Sequence, residues 1–159
     1  LKRARILRKM TEKYHTKFIV NDRLDIAMLS NADGVQLGQS DVPVADARWI
    51  LGKDKIIGAT AKTVEQAIRA EQEGADYLGS GAWYFPSTNK QAVPIAEETY
   101  RERLNAVAIP NVAVGGITAK NGRKPLECGA NGLAISAGIL ASEDVAAEVR
   151  KLSDMLETA

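Results

Sequence analysis

One short phrase recurs three times along the chain: Asn31-Ala32-Asp33-Gly34-Val35-Gln36-Leu37-Gly38, Gly74-Ala75-Asp76-Tyr77-Leu78-Gly79-Ser80-Gly81 and Gly129-Ala130-Asn131-Gly132-Leu133-Ala134-Ile135-Ser136. Each copy follows a helix-like segment, and its parts read as one device. The leading Asn or Gly takes the left-handed conformation that ends a helix. The small Ala lets the turn pack closely, the polar residue makes the turn, and the apolar residues begin a strand. The copies start 43 and 55 residues apart, too far for one strand–helix unit and suitable for two. The chain therefore reads as tandem βα units.

The remaining segments keep that rhythm. Strands are predicted at 18–20, 34–37, 56–59, 76–79, 111–114 and 132–135. Helices are predicted at 2–14, 24–30, 44–51, 64–73, 96–107, 123–128 and 142–157, the sixth shortened or shifted by Gly122 and Pro125. Ser142-Glu143-Asp144 reads as an N-cap with acids in the first turn, and Val145, Val149, Leu152 and Leu156 line one face of the last helix. The strands are unbroken apolar runs, the habit of parallel strands covered on both faces. Six such units fit either a doubly wound sheet or a (β/α)8 TIM-type barrel with about six of its eight units. The Rossmann glycine fingerprint is absent, which favours the barrel. Residues 1–159 read as a single, partial barrel domain.

Composition narrows the classes. Of 159 residues 45% are hydrophobic, enough for a real core, and the net charge of +1 argues against a general nucleic-acid surface. A lone cysteine, Cys128, excludes a disulfide framework and points to a reducing cytoplasm; it reads as packing. No run is long and apolar enough to span a bilayer, so no membrane partner is expected. His15 and the basic run Lys2 to Lys13 read as solvated, and Trp49 reads as core.

In either architecture chemistry gathers after the strands. The polar residues there are Asn21 and Asp22; Gln39, Ser40 and Asp41; Thr60 and Lys62; Ser80; Gly115 and Gly116; and Ser136. Asp22 and Asp41 follow adjacent strands, and two neighbouring carboxylates repel unless a cation lies between them. Mg2+ suits such a pair and bridges substrate phosphates; the same residues also read as a helix cap and a turn before Pro43. Gly115-Gly116 and Ser136-Ala137-Gly138 lie in the last two strand-end loops, where barrels form a phosphate cup from backbone N–H groups; a tight turn needing no ligand is the alternative. The loop from Gly81 to Pro94, with Phe85-Pro86-Ser87-Thr88-Asn89-Lys90 at its centre, is long for a βα connection.

These pieces resemble the thiamine-phosphate synthase family. The stretches that carry the resemblance are FIVNDRLDIA, GVQLGQSDVP, GADYLGSGAWYFPSTNK, VAVGGIT and GLAISAGI, specific by their order and spacing from about residue 14 to 157. The resemblance implies a barrel transferase that joins hydroxymethylpyrimidine pyrophosphate to hydroxyethylthiazole phosphate, or its carboxylated precursor, with Mg2+. It implies that Asp22 and Asp41 are the magnesium ligands and that Asn21 and Thr60 hold the pyrimidine substrate. By the same likeness Lys90 sits on the pyrophosphate, and Ser87, Thr88, Asn89, Gly116, Ile135 and Ser136 hold the thiazole phosphate. Lys90 and Thr60 are the expected catalytic side chains.

The departures from the family pattern are Thr60 where Ser is usual, Asn89 where Thr is usual, and a strand with Gln-Leu-Arg-x-Lys that has no counterpart after Leu1. The expectation is an N-terminally incomplete copy, weak or inactive alone, with open sheet edges that a second copy would be one way to close. Two other readings share the fold: a thiazole tautomerase and a non-catalytic thiazole-phosphate-binding barrel. Retention of Asp22, Asp41 and Lys90 favours the synthase.

Overall fold

Short apolar runs, each followed by a polar turn and a helix, set the order of elements in the computed structural model, which describes residues 1–85 and 93–157. The order is α1 (Lys2–Lys13), β1 (Ile19–Asn21), α2 (Leu24–Leu29), β2 (Gly34–Leu37), α3 (Val44–Leu51), β3 (Ile56–Thr60), α4 (Val64–Gln72) and β4 (Tyr77–Gly81). It continues with α5 (Glu97–Ala106), β5 (Asn111–Val114), α6 (Arg123–Glu127), β6 (Gly132–Ala134), α7 (Ala137–Leu140) and α8 (Val145–Glu157). Two compact units result, Leu1–Ala61 with Glu65–Leu78, and Lys62–Val64 with Gly79–Ala159.

In the first unit the strands follow chain order, with β1 parallel to β2 and β2 parallel to β3. Their register sets Asn21 opposite Gln36 and Gln36 opposite Gly58. The core is rich in alanine: Ala27, Ala47, Ala67 and Ala70 bring the helices close to a sheet carrying Val35, Leu37, Ile57 and Leu78. Trp49 is not part of it. Val44 and Ala47 take the buried side of α3, and Trp49, two residues further round the helix, is 86% exposed.

The second unit pairs β5 with β6 in parallel, Val112 opposite Gly132. Trp83, Tyr100, Ala113, Ile117 and Cys128 form its core, with the Trp83 and Tyr100 rings edge to face at 4.7 Å. A buried polar chain crosses it: Tyr100 Oη donates to Asn111 Oδ1 at 3.1 Å, and Asn111 Nδ2 donates to Ser80 Oγ at 3.0 Å. Ser80, expected at a strand end facing the chemistry, is therefore a core residue. Burial raises the Tyr100 phenol to about 12.

The last helices depart most from the sequence reading. Ala137–Leu140 forms a separate short helix, and α8 begins at Val145 rather than 142. Its cap is Asp144, whose Oδ1 accepts the Ala147 amide at 2.8 Å, while Ser142 Oγ accepts the Asp144 amide. Of the expected stripe only Leu152 is buried; Val145, Val149 and Leu156 are 42–47% exposed. Pro125 falls at the third position of α6, within the first turn, where its missing N–H costs no helical hydrogen bond.

The repeated phrase does more than turn the chain. The amides of Phe18, Ile57 and Asn111 donate to Asp33 Oδ2 at 2.7 Å, Asp76 Oδ2 at 2.7 Å and Asn131 Oδ1 at 2.8 Å. In return the amides of Asp33, Asp76 and Asn131 donate to the carbonyls of Phe18, Ile57 and Asn111. Each polar residue thus clamps the start of the neighbouring strand at both its N–H and its C=O. Arginines join two of the clamps, Arg8 on Asp33 at 2.7 Å and Arg48 on Asp76 at 2.6 Å. The Phe18 amide above all, and then Arg8, holds the Asp33 carboxyl below its usual range.

Candidate functional site: an acidic strand end and a glycine cup

In the first unit β1 ends in a tight turn. The Asp22 amide continues the ladder by donating to the Gln36 carbonyl at 2.8 Å, and the Arg23 amide folds back to the Asn21 carbonyl at 2.8 Å. Asp22 at the centre has φ +66°, a conformation that costs a non-glycine residue on the order of 1 kcal/mol or more and that clusters at functional sites. Asp22 does not cap α2, whose N-cap is Arg23 without a side-chain bond. Asp41 does make a turn: its Oδ2 accepts the Gly38 amide at 2.6 Å.

The turns bring the two carboxyl groups together. Burial raises the Asp22 pKa first, then the charge of Asp41, then a hydrogen bond between the two side chains, with Asn21 opposing. A proton or a cation between them relieves that repulsion. Thr60 ends β3 beside this pair of loops. Its Oγ1 accepts from Gln36 Nε2 at 3.1 Å, and its carbonyl accepts from Gln39 Nε2, whose Oε1 is held by Arg69 at 2.8 Å.

The second unit holds a cavity of about 370 Å³ lined by Gly115, Gly116, Thr118, Ser136, Gly138 and the exposed Phe85, among others. Its walls are glycine by necessity. Gly115 and Gly116 have φ of +101° and +66°, and a Cβ on Gly116 would lie 2.7 Å from Tyr84 Cβ. A Cβ on Gly138 would strike the carbonyl oxygen of Ile117. Asn121 fixes the loop, accepting the Thr118 amide at 2.8 Å and donating to the Gly116 carbonyl at 3.1 Å. Gly116 and Ser136 line the cavity. Ile135 does not; its side chain packs on the Trp83 core.

Ser87, Thr88, Asn89 and Lys90 lie outside the described residues. His15 is exposed at the end of α1 and Cys128 is buried at the end of α6, as expected. Sequence reasoning missed Gln36 and Asn121. The signal for Gln36 was a lone amide inside the run Val35-Gln36-Leu37. Asn121 looked like an ordinary turn residue. Among the described residues no helix is long and apolar enough to cross a membrane.

Known proteins share this plan. Thiamine-phosphate synthase of Clostridium acetobutylicum is 44% identical over 151 residues, covering 95% of this chain and 72% of that protein. Its counterpart in Clostridioides difficile is 45% identical over 152 residues, with the same two coverages. The solved thiamine phosphate pyrophosphorylase of Pyrococcus furiosus superposes with a TM-score of 0.89 at 38% identity, covering 99% of this chain and 75% of that one. The 3-hexulose-6-phosphate synthase of Salmonella typhimurium, at 18% identity and a TM-score of 0.76 over 98% of this chain and 80% of that one, shares the fold alone. The fold is the TIM-barrel type of α/β, with strands in chain order rather than the reversed order of a doubly wound sheet. The sequence pattern of the family described as thiamine monophosphate synthase matches residues 1–139, and the chain belongs to that family of transferases.

Proposed function

We propose that the chain joins hydroxymethylpyrimidine pyrophosphate to hydroxyethylthiazole phosphate, giving thiamine phosphate and pyrophosphate. The thiazole nitrogen forms a bond to the pyrimidine methylene carbon. The bond from that carbon to the pyrophosphate oxygen breaks, and its electron pair leaves with pyrophosphate. The observation that carries the reading is the nearness of the Asp22 and Asp41 carboxyl groups at neighbouring strand ends, close enough for the charge of Asp41 to raise the Asp22 pKa.

That donor set fits Mg2+: two hard carboxylates whose mutual repulsion a divalent ion relieves. When bound, the ion supplies positive charge to the departing pyrophosphate. Asn21 and Thr60 hold the pyrimidine half in the first unit. Gly116 and Ser136 offer backbone and hydroxyl donors to the thiazole phosphate in the second, with Ile135 contributing main chain. Ser87, Thr88 and Asn89 share that phosphate, and Lys90 steadies the pyrophosphate. Fixed donors aimed at the leaving group lower the barrier because they need no reorganisation as charge develops.

Calorimetry of hydroxymethylpyrimidine pyrophosphate with and without Mg2+ tests the reading. Alanine at Asp22 or at Asp41 removes the magnesium-dependent heat and leaves thiazole phosphate binding intact. Binding indifferent to Mg2+ in the unaltered chain would reject it.

A further inference from the structure

Gln36 is the one polar side chain in β2, and three connections meet on it. Its carbonyl takes the Asp22 amide that holds the turn at the acidic pair. Its Nε2 donates to Thr60 Oγ1 at 3.1 Å. Its Oε1, with the ring and hydroxyl of Tyr77, fills the space where a Cβ on Gly58 would lie. The register aligns Asn21, Gln36 and Gly58 in one row across β1, β2 and β3, so their side-chain positions share a face of the sheet. Glycine at 58 therefore clears the space into which the glutamine side chain reaches.

A hydroxyl has one proton and two acceptor lone pairs. With one lone pair occupied by the Gln36 amide, the Thr60 proton is directed elsewhere. The amide oxygen and the Tyr77 hydroxyl both border the space over Gly58, and the amide nitrogen faces Thr60. Burial raises the Tyr77 phenol, keeping it protonated.

We infer that Gln36 is a positioning residue: it occupies an acceptor site of Thr60 so that the threonine donates its proton to the bound pyrimidine substrate. The inference rests on the synthase reading, in which Thr60 contacts that substrate. It also gives one residue a hold on both halves of the acidic site, through its main chain at Asp22 and its side chain at Thr60.

The test is a double-mutant cycle by calorimetry with hydroxymethylpyrimidine pyrophosphate and Mg2+, using Gln36→Met, Thr60→Val and the pair. Gln36→Met keeps length and removes the donor; it weakens binding by roughly 5–10-fold, the worth of one oriented hydrogen bond. On the Thr60→Val background the same change has less than about a twofold effect, because no hydroxyl remains to orient. Gln36→His, which keeps an N–H donor, retains binding within about threefold of the unaltered chain on the same single-hydrogen-bond scale. Thiazole phosphate binding and the thermal midpoint report folding of each variant. Equal losses on both backgrounds, no loss in a folded Gln36→Met variant, or a loss in a folded Gln36→His variant as large as that in Gln36→Met, overturn the positioning role. Absence of magnesium-dependent binding in the unaltered chain instead removes the synthase reading.

Discussion

The two compact units build their ends of the sheet by opposite means. The first assembles side chains: carboxyl groups of Asp22 and Asp41 near enough to feel each other's charge, with Gln36 and Gln39 bracing Thr60. The second excludes side chains: Gly115, Gly116 and Gly138 leave main chain bare around a cavity because any Cβ would collide with a neighbour. One end is a charge arrangement in which Asp41 raises the pKa of Asp22. The other is a shape that backbone close approach alone can make. The first should tolerate changes of size and fail on changes of charge; the second should do the reverse.

The largest effect expected from that contrast comes from Gly138→Ala. Its new methyl meets the Ile117 carbonyl, so the loop must move. Thiazole phosphate binding falls by roughly 30-fold or more and stability by ~1–3 kcal/mol, while magnesium-dependent pyrimidine binding survives. Calorimetry with both ligands reads this, and a parallel loss of the pyrimidine ligand would break the distinction between the units.

Next in size is Asp33→Ala, which leaves the Phe18 amide without its acceptor and removes one of the partners of Arg8. It costs ~1–3 kcal/mol, a fall of several degrees in thermal midpoint. Asp33→Asn keeps an acceptor, as Asn131 does naturally, and costs less. The folded pKa of Asp33 lies below its unfolded value, so its contribution is present above the ordinary carboxylate range and fades as pH falls through the folded value. Thermal melts between pH 2 and 5 (roughly the carboxylate range) should show that slope in the unaltered chain and a shallower one in Asp33→Asn.

The smallest effect has the opposite sign. Asp22 has a raised folded pKa, so ionising it weakens the fold: stability is lost as pH rises from the unfolded pKa through the folded one. Asp22→Asn should raise the thermal midpoint at neutral pH by about 1–2 °C. Added Mg2+ should stabilise the unaltered chain and leave Asp22→Asn unmoved. A variant that melts lower without magnesium would show that the acidic pair is not under tension.

Much of this was legible because repeats and strand ends leave strong marks. The phrase with Asp33, Asp76 and Asn131 marked βα rhythm, and six strands lie within a residue or two of their expected places. The pairing of Asp22 with Asp41 followed from parallel neighbours ending at the same side. The misses share one cause: they depend on which neighbour a side chain reaches. Trp49 looked like core because tryptophan usually is, yet the face of α3 was set by Val44 and Ala47. Ser80 was counted with the chemistry until Asn111 and Tyr100 met it in the interior. Ser142 had the composition of a cap, but a separate short helix ends at Leu140 and passes that role to Asp144. Gln36 was hidden in an apolar run whose polar member only register could explain.

The clamps made by Asp33, Asp76 and Asn131 grip strands where they begin, whereas Asp22, Asp41 and Ser136 lie beyond where strands finish. On the proposed function, durability and chemistry are thereby entrusted to opposite termini of such short segments. Drift at the finishing termini can retune ligands without loosening the framework. Tightening the starting termini offers a way to harden such a protein while leaving its reactivity alone.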